Sequence, residues 1–193
     1  MYRTNRTNEN PIRARERERV IENPIIGDRV TFLKTAEETD GEYMLAKVEL
    51  APHGGNAMHY HLTFTEEFEV LEGRLNVDLD DRHLVLGPGE NALVPIKSRH
   101  RFYSTSDEPV TFTVGMRPAR RMEEALRVAY GLARDGKTNA KSVPRNVFQL
   151  ALLYELGESY LVGMPLLVQR AVFGVLAKVA RWRGVEKSLE KYL

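Results

Sequence analysis

Two histidines two residues apart, His59 and His61, are followed by Glu66 and, far downstream, by His100. Three neutral imidazoles and one carboxylate form a ligand set for iron, manganese, nickel, zinc or copper, with the choice left to geometry and metal supply. A divalent ion held this way keeps coordination positions open for water, dioxygen or substrate. The chain has no cysteine, so thiolate ligation, a cysteine nucleophile and a disulfide framework are excluded. No general base separate from this group can be named from the sequence.

The elements that must position these residues read as strands. Side chains two apart on a strand share a face, so His59 and His61 project together. Glu66 lies an odd number of residues from His61 and joins it only if the chain turns within Leu62–Thr65. Phe68 and Val70 then share its inward face, and His100 arrives on another strand with Phe102 beside it. Period-two alternation recurs in Glu42–Leu50, Gly73–Asp80 and Val110–Met116. Gly54-Gly55, Gly73, Asp80-Asp81 and Gly87-Pro88-Gly89 supply turns at short intervals. Many short strands without intervening helices predict an antiparallel sandwich or barrel. Met44, Ala46, Val48, Phe68, Val70, Phe102, Phe112, Val114 and Met116 are its expected interior, with Phe68 and Phe102 the expected walls of a ligand pocket beside the metal. By alternation Glu67, Tyr60 and the arginines at 74, 99 and 101 face away, and His53 and His83 sit in exposed turns.

The spacing resembles both sequence motifs of the cupin family. Gly54, His59, His61, Glu66 and Gly73 follow the first, with the gap after Gly54 one residue short. Gly89, Pro95 and His100 follow the second, with Lys97 where glycine is usual and Ser104 where asparagine is usual. The resemblance covers about residues 28–118 and implies a mainly β, antiparallel jelly-roll barrel in which His59, His61, Glu66 and His100 bind a divalent transition metal. It also implies an enzyme acting on a small organic molecule. Dioxygenase-type oxidation is the foremost class, and metal-assisted isomerisation or decarboxylation the next. The alternative is a non-catalytic metal- or small-molecule-binding module recruited to a partner or a membrane surface.

Around the barrel the chain divides into an arm over 1–27 and a helical extension over 119–193. Arg13 to Arg19 alternates basic and acidic residues, and Asn23-Pro24 ends any helix there. The N-terminal stretch lacks the apolar core of a signal peptide, and no apolar run is long enough for a conventional spanning helix. A cytoplasmic protein is expected. Residues 119–193 carry 13 Lys and Arg against 7 Asp and Glu, while the other 118 carry 15 against 20. This mild asymmetry suits two modules, and no nucleic-acid-binding motif accompanies it. Helical spacing covers 122–132, then a stretch begun by Ser142 and Pro144 that stops near Gly157. A third helix runs from Gly163-Met164-Pro165 to about Arg183, and a short last one spans Val185–Leu193. In the third, Arg170, Lys178 and Arg181 lie within about 80° of each other and nearly everything else is apolar. Such a face packs in a helical core or a homodimer interface, or lies on a membrane surface through 164–183 with Trp182 at the boundary.

Overall fold

The computed structural model describes residues 19–193. Eleven strands are β1 (Val20–Asn23), β2 (Asp28–Lys34), β3 (Met44–Leu50), β4 (His59–Tyr60), β5 (Thr65–Glu72), β6 (Leu75–Leu79), β7 (Arg82–Leu86), β8 (Asn91–Val94), β9 (His100–Tyr103), β10 (Val110–Arg117) and β11 (Tyr160–Leu161). They form two antiparallel sheets. One runs β1-β2-β3-β10-β5-β8 and the other β11-β4-β9-β6-β7. The jelly-roll barrel follows directly from the alternation in the sequence. Residues of β3 and β10 alternate between buried and half-buried along their length, and the buried members face those of the opposite sheet. Phe32, Met44, Ala46, Val70, Leu75 and Phe112 are fully enclosed in that core. Each large apolar side chain buried there contributes about 1.5–3 kcal/mol.

The stretch expected to be an arm behaves differently from that reading where it is described. Val20–Asn23 forms a strand paired with β2, Val20 opposite Thr31 and Asn23 opposite Asp28. Arg13 to Glu18, and the rest of the arm before them, lie outside the described residues.

Three helices follow the barrel: α1 (Met122–Arg134), α2 (Val147–Gly157) and α3 (Leu166–Trp182). The second starts later than Ser142 and Pro144 suggest. Asn146 caps it, its side-chain oxygen accepting from the amides of Phe148 and Gln149, which is what a short amide side chain does best at a helix start. The segment expected as a last helix is two short 3₁₀ turns, Glu186–Ser188 and Glu190–Tyr192. Val128 and Leu132 of α1 pack with Ala151 and Leu152 of α2 and Ala177 and Ala180 of α3 in a core of their own.

The helices do not stand apart from the barrel. β11, between α2 and α3, adds to the edge of the second sheet, with Tyr160 opposite Tyr60 and Leu161 opposite His59. Gln169 of α3, fully buried, holds it there. Its side-chain oxygen accepts from the Leu161 amide at 2.8 Å, and its amino group donates to the carbonyls of Leu161 at 2.8 Å and Met164 at 2.7 Å. A buried amide inside an apolar helix is tolerated because its hydrogen bonds are made. The opposite face of α3 is uncovered: Leu167 is 79% and Trp182 82% exposed, with Val168, Val172 and Val175 between them. No helix among the described residues is long and apolar enough to cross a membrane.

Candidate metal centre

Each of the four residues arrives by a separate local cause. β4 pairs with β9 through His59 opposite His100, so sheet register alone brings two imidazoles together. After Tyr60 the chain turns, and Glu66 enters at the start of β5 in the facing sheet. The turn over 61–64 is pinned by the Lys97 amide, which donates to the His61 carbonyl at 2.7 Å. Lys97 does this at φ 73°, in the left-handed region, which explains why glycine suits that position better. Gly73, at φ 82°, closes the turn after β5, where an added Cβ would come within 3.2 Å of the Pro109 carbonyl.

The ligand atoms of His59, His61, Glu66 and His100 all lie within 4.8 Å of one another. His61, Glu66 and His100 are buried and His59 is half-buried. His100 Nε2 sits 2.9 Å from Glu66 Oε2. His61 Nε2 lies 3.4 Å from Glu66 Oε1 but, among the described residues, is buried without a hydrogen bond.

A common arrangement fixes the three rings. Each imidazole presents Nδ1 to a backbone carbonyl: His59 to Ala57 at 2.8 Å, His61 to Glu158 at 3.1 Å, His100 to Ser98 at 3.1 Å. A carbonyl only accepts, so each Nδ1 carries a proton; the Nε2 atoms of His59 and His61 are left to offer their lone pairs, and that of His100 is too once the proton between it and Glu66 is lost. Carbonyl partners of this kind set the tautomer and orientation of metal-binding histidines.

The electrostatics agree. Burial, reinforced by the positive charge of nearby His100, pushes the His59 pKa down to about 4, so its imidazole is neutral near neutral pH. Burial alone would raise the Glu66 carboxyl, but the His100 hydrogen bond and the nearness of both His61 and His100 outweigh it and hold it below the ordinary carboxylate range. For His100, burial works downward and the Glu66 hydrogen bond and charge overcome it, raising the pKa. Without metal, a proton shared between His100 and Glu66 occupies part of the space a cation would take. An oriented set of three imidazole nitrogens and one ionised carboxylate, with the His61 nitrogen unpartnered, fits a divalent transition metal.

The cluster opens into a cavity of about 370 Å³. His59, His61, Glu66, Phe68, Phe102, Val48, Val114 and Met116 line it from the barrel. Phe68 and Phe102 are therefore both walls, their rings 5.7 Å apart. Met44, Ala46, Val70 and Phe112 belong to the packed core instead. Alternation also places the outward residues correctly. Glu67 and His53 are exposed, Arg101 lies over the Tyr103 ring, and Tyr60 stacks on Tyr160; His83 is exposed too, but in β7 opposite Asp78 rather than in a turn.

The helical segment supplies what the barrel motifs do not. Met122, Leu126 and Tyr130 of α1, with Ser159 and Leu161, close the cavity. Glu158 ends α2 at φ 45°. Its carbonyl orients His61, while its carboxylate accepts from Thr63 at 2.5 Å and from Arg120 at 3.0 Å. Asp28, at the start of β2, lines the same cavity. Spacing by four does put Met122, Leu126 and Tyr130 on one helical face. Nothing local marks Asp28 or Glu158, since both depend on long-range packing.

Residues 46–116 match the family described as Cupin domain. Among curated proteins, the chain is 41% identical over 61 residues to "Polyketide synthase CurC" of Streptomyces cyaneus, covering 31% of this chain and 39% of that protein. It is 31% identical over 80 residues to quercetin 2,3-dioxygenase of Bacillus subtilis (strain 168), covering 40% of this chain and 23% of that protein. The chain thus spans well under half the length of either relative. Among solved structures, a cupin-superfamily sugar phosphate isomerase from Silicibacter pomeroyi is 25% identical with a TM-score of 0.44, over 50% of this chain and 63% of that one. An RmlC-like cupin from Shewanella frigidimarina is 23% identical with a TM-score of 0.45, over 52% and 84%.

Proposed function

The barrel is a cupin domain, and from that premise we propose that the protein is a metal-dependent enzyme that oxidises a small, largely apolar organic molecule with dioxygen. The observation that carries this reading is the set of three Nδ1–carbonyl contacts, which aim three imidazole nitrogens toward Glu66 beside an apolar cavity. His59, His61, Glu66 and His100 would hold the ion. A bound divalent transition metal supplies Lewis acidity and open positions for dioxygen or a substrate oxygen. The chain's own residues orient and enclose. Phe68 and Phe102 offer aromatic faces to a substrate ring. Met122 and Leu126 cover it from α1 and exclude water, which strengthens every polar contact within. One relative is named for quercetin oxidation and another for polyketide synthesis, and both names support an oxygenated, carbon-rich substrate.

The test is dioxygen uptake by the purified chain loaded in turn with Fe(II), Mn(II), Ni(II), Zn(II) and Cu(II), with quercetin as the probe. Uptake with one redox-active ion, lost in Glu66→Ala, is expected. Metal binding without uptake overturns the dioxygenase assignment and leaves isomerisation or decarboxylation.

A second reading is favoured by the uncovered stripe of α3. Leu167, Val175 and Trp182 share one exposed face, with Lys178 between them and Arg170 and Arg183 at its margins. Apolar side chains rimmed by cations suit an anionic bilayer surface. On this reading the helix brings the barrel to a membrane, with or without catalysis, and a second copy of the chain is the competing occupant.

A further inference from the structure

Asp28 is out of place in an apolar cavity. It is 6% exposed and lies among Ile26, Val30, Met122 and Leu126 on the cavity wall. One carboxylate oxygen, Oδ2, accepts from the hydroxyl of Tyr130, which reaches it from α1. The other, Oδ1, is buried with no hydrogen-bond partner among the described residues. No cation pairs with this carboxylate among the described residues. A buried carboxylate oxygen without a donor opposes folding. A fold that keeps one, and spends a buried tyrosine to hold it in place, invites a donor from outside the chain. Burial pushes the Asp28 pKa up and the Tyr130 hydrogen bond holds it back. Burial and the adjacent carboxylate push the Tyr130 pKa well up, so its hydroxyl remains a donor at neutral pH and does not compete as a base.

We propose that Asp28 Oδ1 is the cavity's recognition point for a hydroxyl group. The ligand is then a hydroxylated, otherwise apolar small molecule, one end against the His59, His61, Glu66 and His100 cluster and a donor hydroxyl toward Asp28. Tyr130 is a positioning residue: it holds Oδ2 and leaves Oδ1 for the ligand's donor. This rests on the reading that the ligand occupies the cavity beside the metal centre.

The test compares 2-naphthol with 2-fluoronaphthalene, which has nearly the same shape and no donor. Binding to the metal-loaded full chain is followed by NMR titration, with metal stoichiometry measured on the same samples. A charge-assisted hydrogen bond in an enclosed site predicts about tenfold or more tighter binding of the naphthol. Asp28→Asn should bring that preference close to unity with metal stoichiometry unchanged. Tyr130→Phe should retain part of the preference, because the acceptor stays and only its support is lost. If the Asp28 variant does not fold, a structure of the unaltered chain with 2-naphthol decides. The hydroxyl lies within hydrogen-bond distance of Oδ1, or the proposal falls. Metal bound with no preference for the naphthol overturns this proposal alone. A naphthol preference lost in Asp28→Asn in a chain that binds no metal supports it and overturns the metal reading.

Discussion

Replacing Glu158 by alanine should weaken a metal site that Glu158 does not touch through its side chain. The carboxylate ties Thr63, in the site's turn, to Arg120 before α1, and the same residue's carbonyl orients His61. The Thr63 bond is half-buried and to a charged acceptor, worth about 1.5 kcal/mol. The Arg120 guanidinium is 47% exposed, so its ion pair adds about 0.5 kcal/mol after screening. The expected loss is about 2 kcal/mol, a fall in the melting midpoint of about 4–8 °C for a chain of this size. Once those ties are gone the carbonyl drifts from His61 Nδ1. Loss of such outer partners lowers metal affinity by about 10–100-fold. Scanning calorimetry reads the first effect and titration against a metal-sensitive dye reads the second. Glu158→Gly separates them: it relieves the left-handed backbone at φ 45°, so part of the stability returns while the affinity stays low. A folded Glu158→Ala protein that binds metal as tightly as the parent would refute the coupling between helix and site.

Four further outcomes are expected. In metal-free protein, the charged form of His100, with its raised pKa, stabilises fully below the ordinary histidine value and ceases to as pH rises through the raised one. Glu66, with its lowered pKa, stabilises above the ordinary glutamate value and ceases to as pH falls through the lowered one. His59, held uncharged by burial with a pKa of about 4, works the other way and costs stability as pH falls below the ordinary histidine value, so denaturant midpoints should be highest near about pH 6.5 and decline toward pH 8, a decline that saturating metal removes; no alkaline decline in metal-free protein would contradict the pairing. Phe112→Ala, in the sealed core, should cost about 3–5 kcal/mol in chemical denaturation, whereas Phe102→Ala, on the cavity wall, should cost less and alter probe binding more. Metal at about 100 times its dissociation constant should stabilise the parent by about 2.7 kcal/mol in the same assay, with no gain in His61→Ala. Leu167→Glu with Val175→Glu should abolish co-sedimentation with phosphatidylserine vesicles and leave the melting midpoint nearly unchanged; a concentration-dependent change in mass instead would assign the stripe to a second copy of the chain.

The barrel and the four clustered residues were legible because they rest on short-range rules. Alternation places Phe68 and Val70 inward, the odd spacing from His61 to Glu66 demands a turn, and the turn is there. What escaped depends on contacts between distant segments. β11 is two residues long and forms because Gln169, eight residues on, satisfies the Leu161 backbone. The carbonyl that orients His61 comes from position 158, and main-chain groups leave no trace in side-chain patterns. Asp28 reads as the polar start of a strand until α1 lays Tyr130 against it. The amphipathic reading of α3 found the right wide apolar surface, but only the fold shows that Ala177 and Ala180 pack inward while Leu167 and Trp182 remain exposed.

Whether three imidazoles and Glu66 form one metal centre is decided by anomalous diffraction from crystals of the full chain. A single strong peak is expected within about 2.0–2.2 Å of the Nε2 atoms of His59, His61 and His100 and of a Glu66 oxygen, with the three Nδ1–carbonyl contacts intact. A crystal grown with excess transition metal that shows no peak there, and still shows His100 hydrogen-bonded to Glu66, would contradict such a centre.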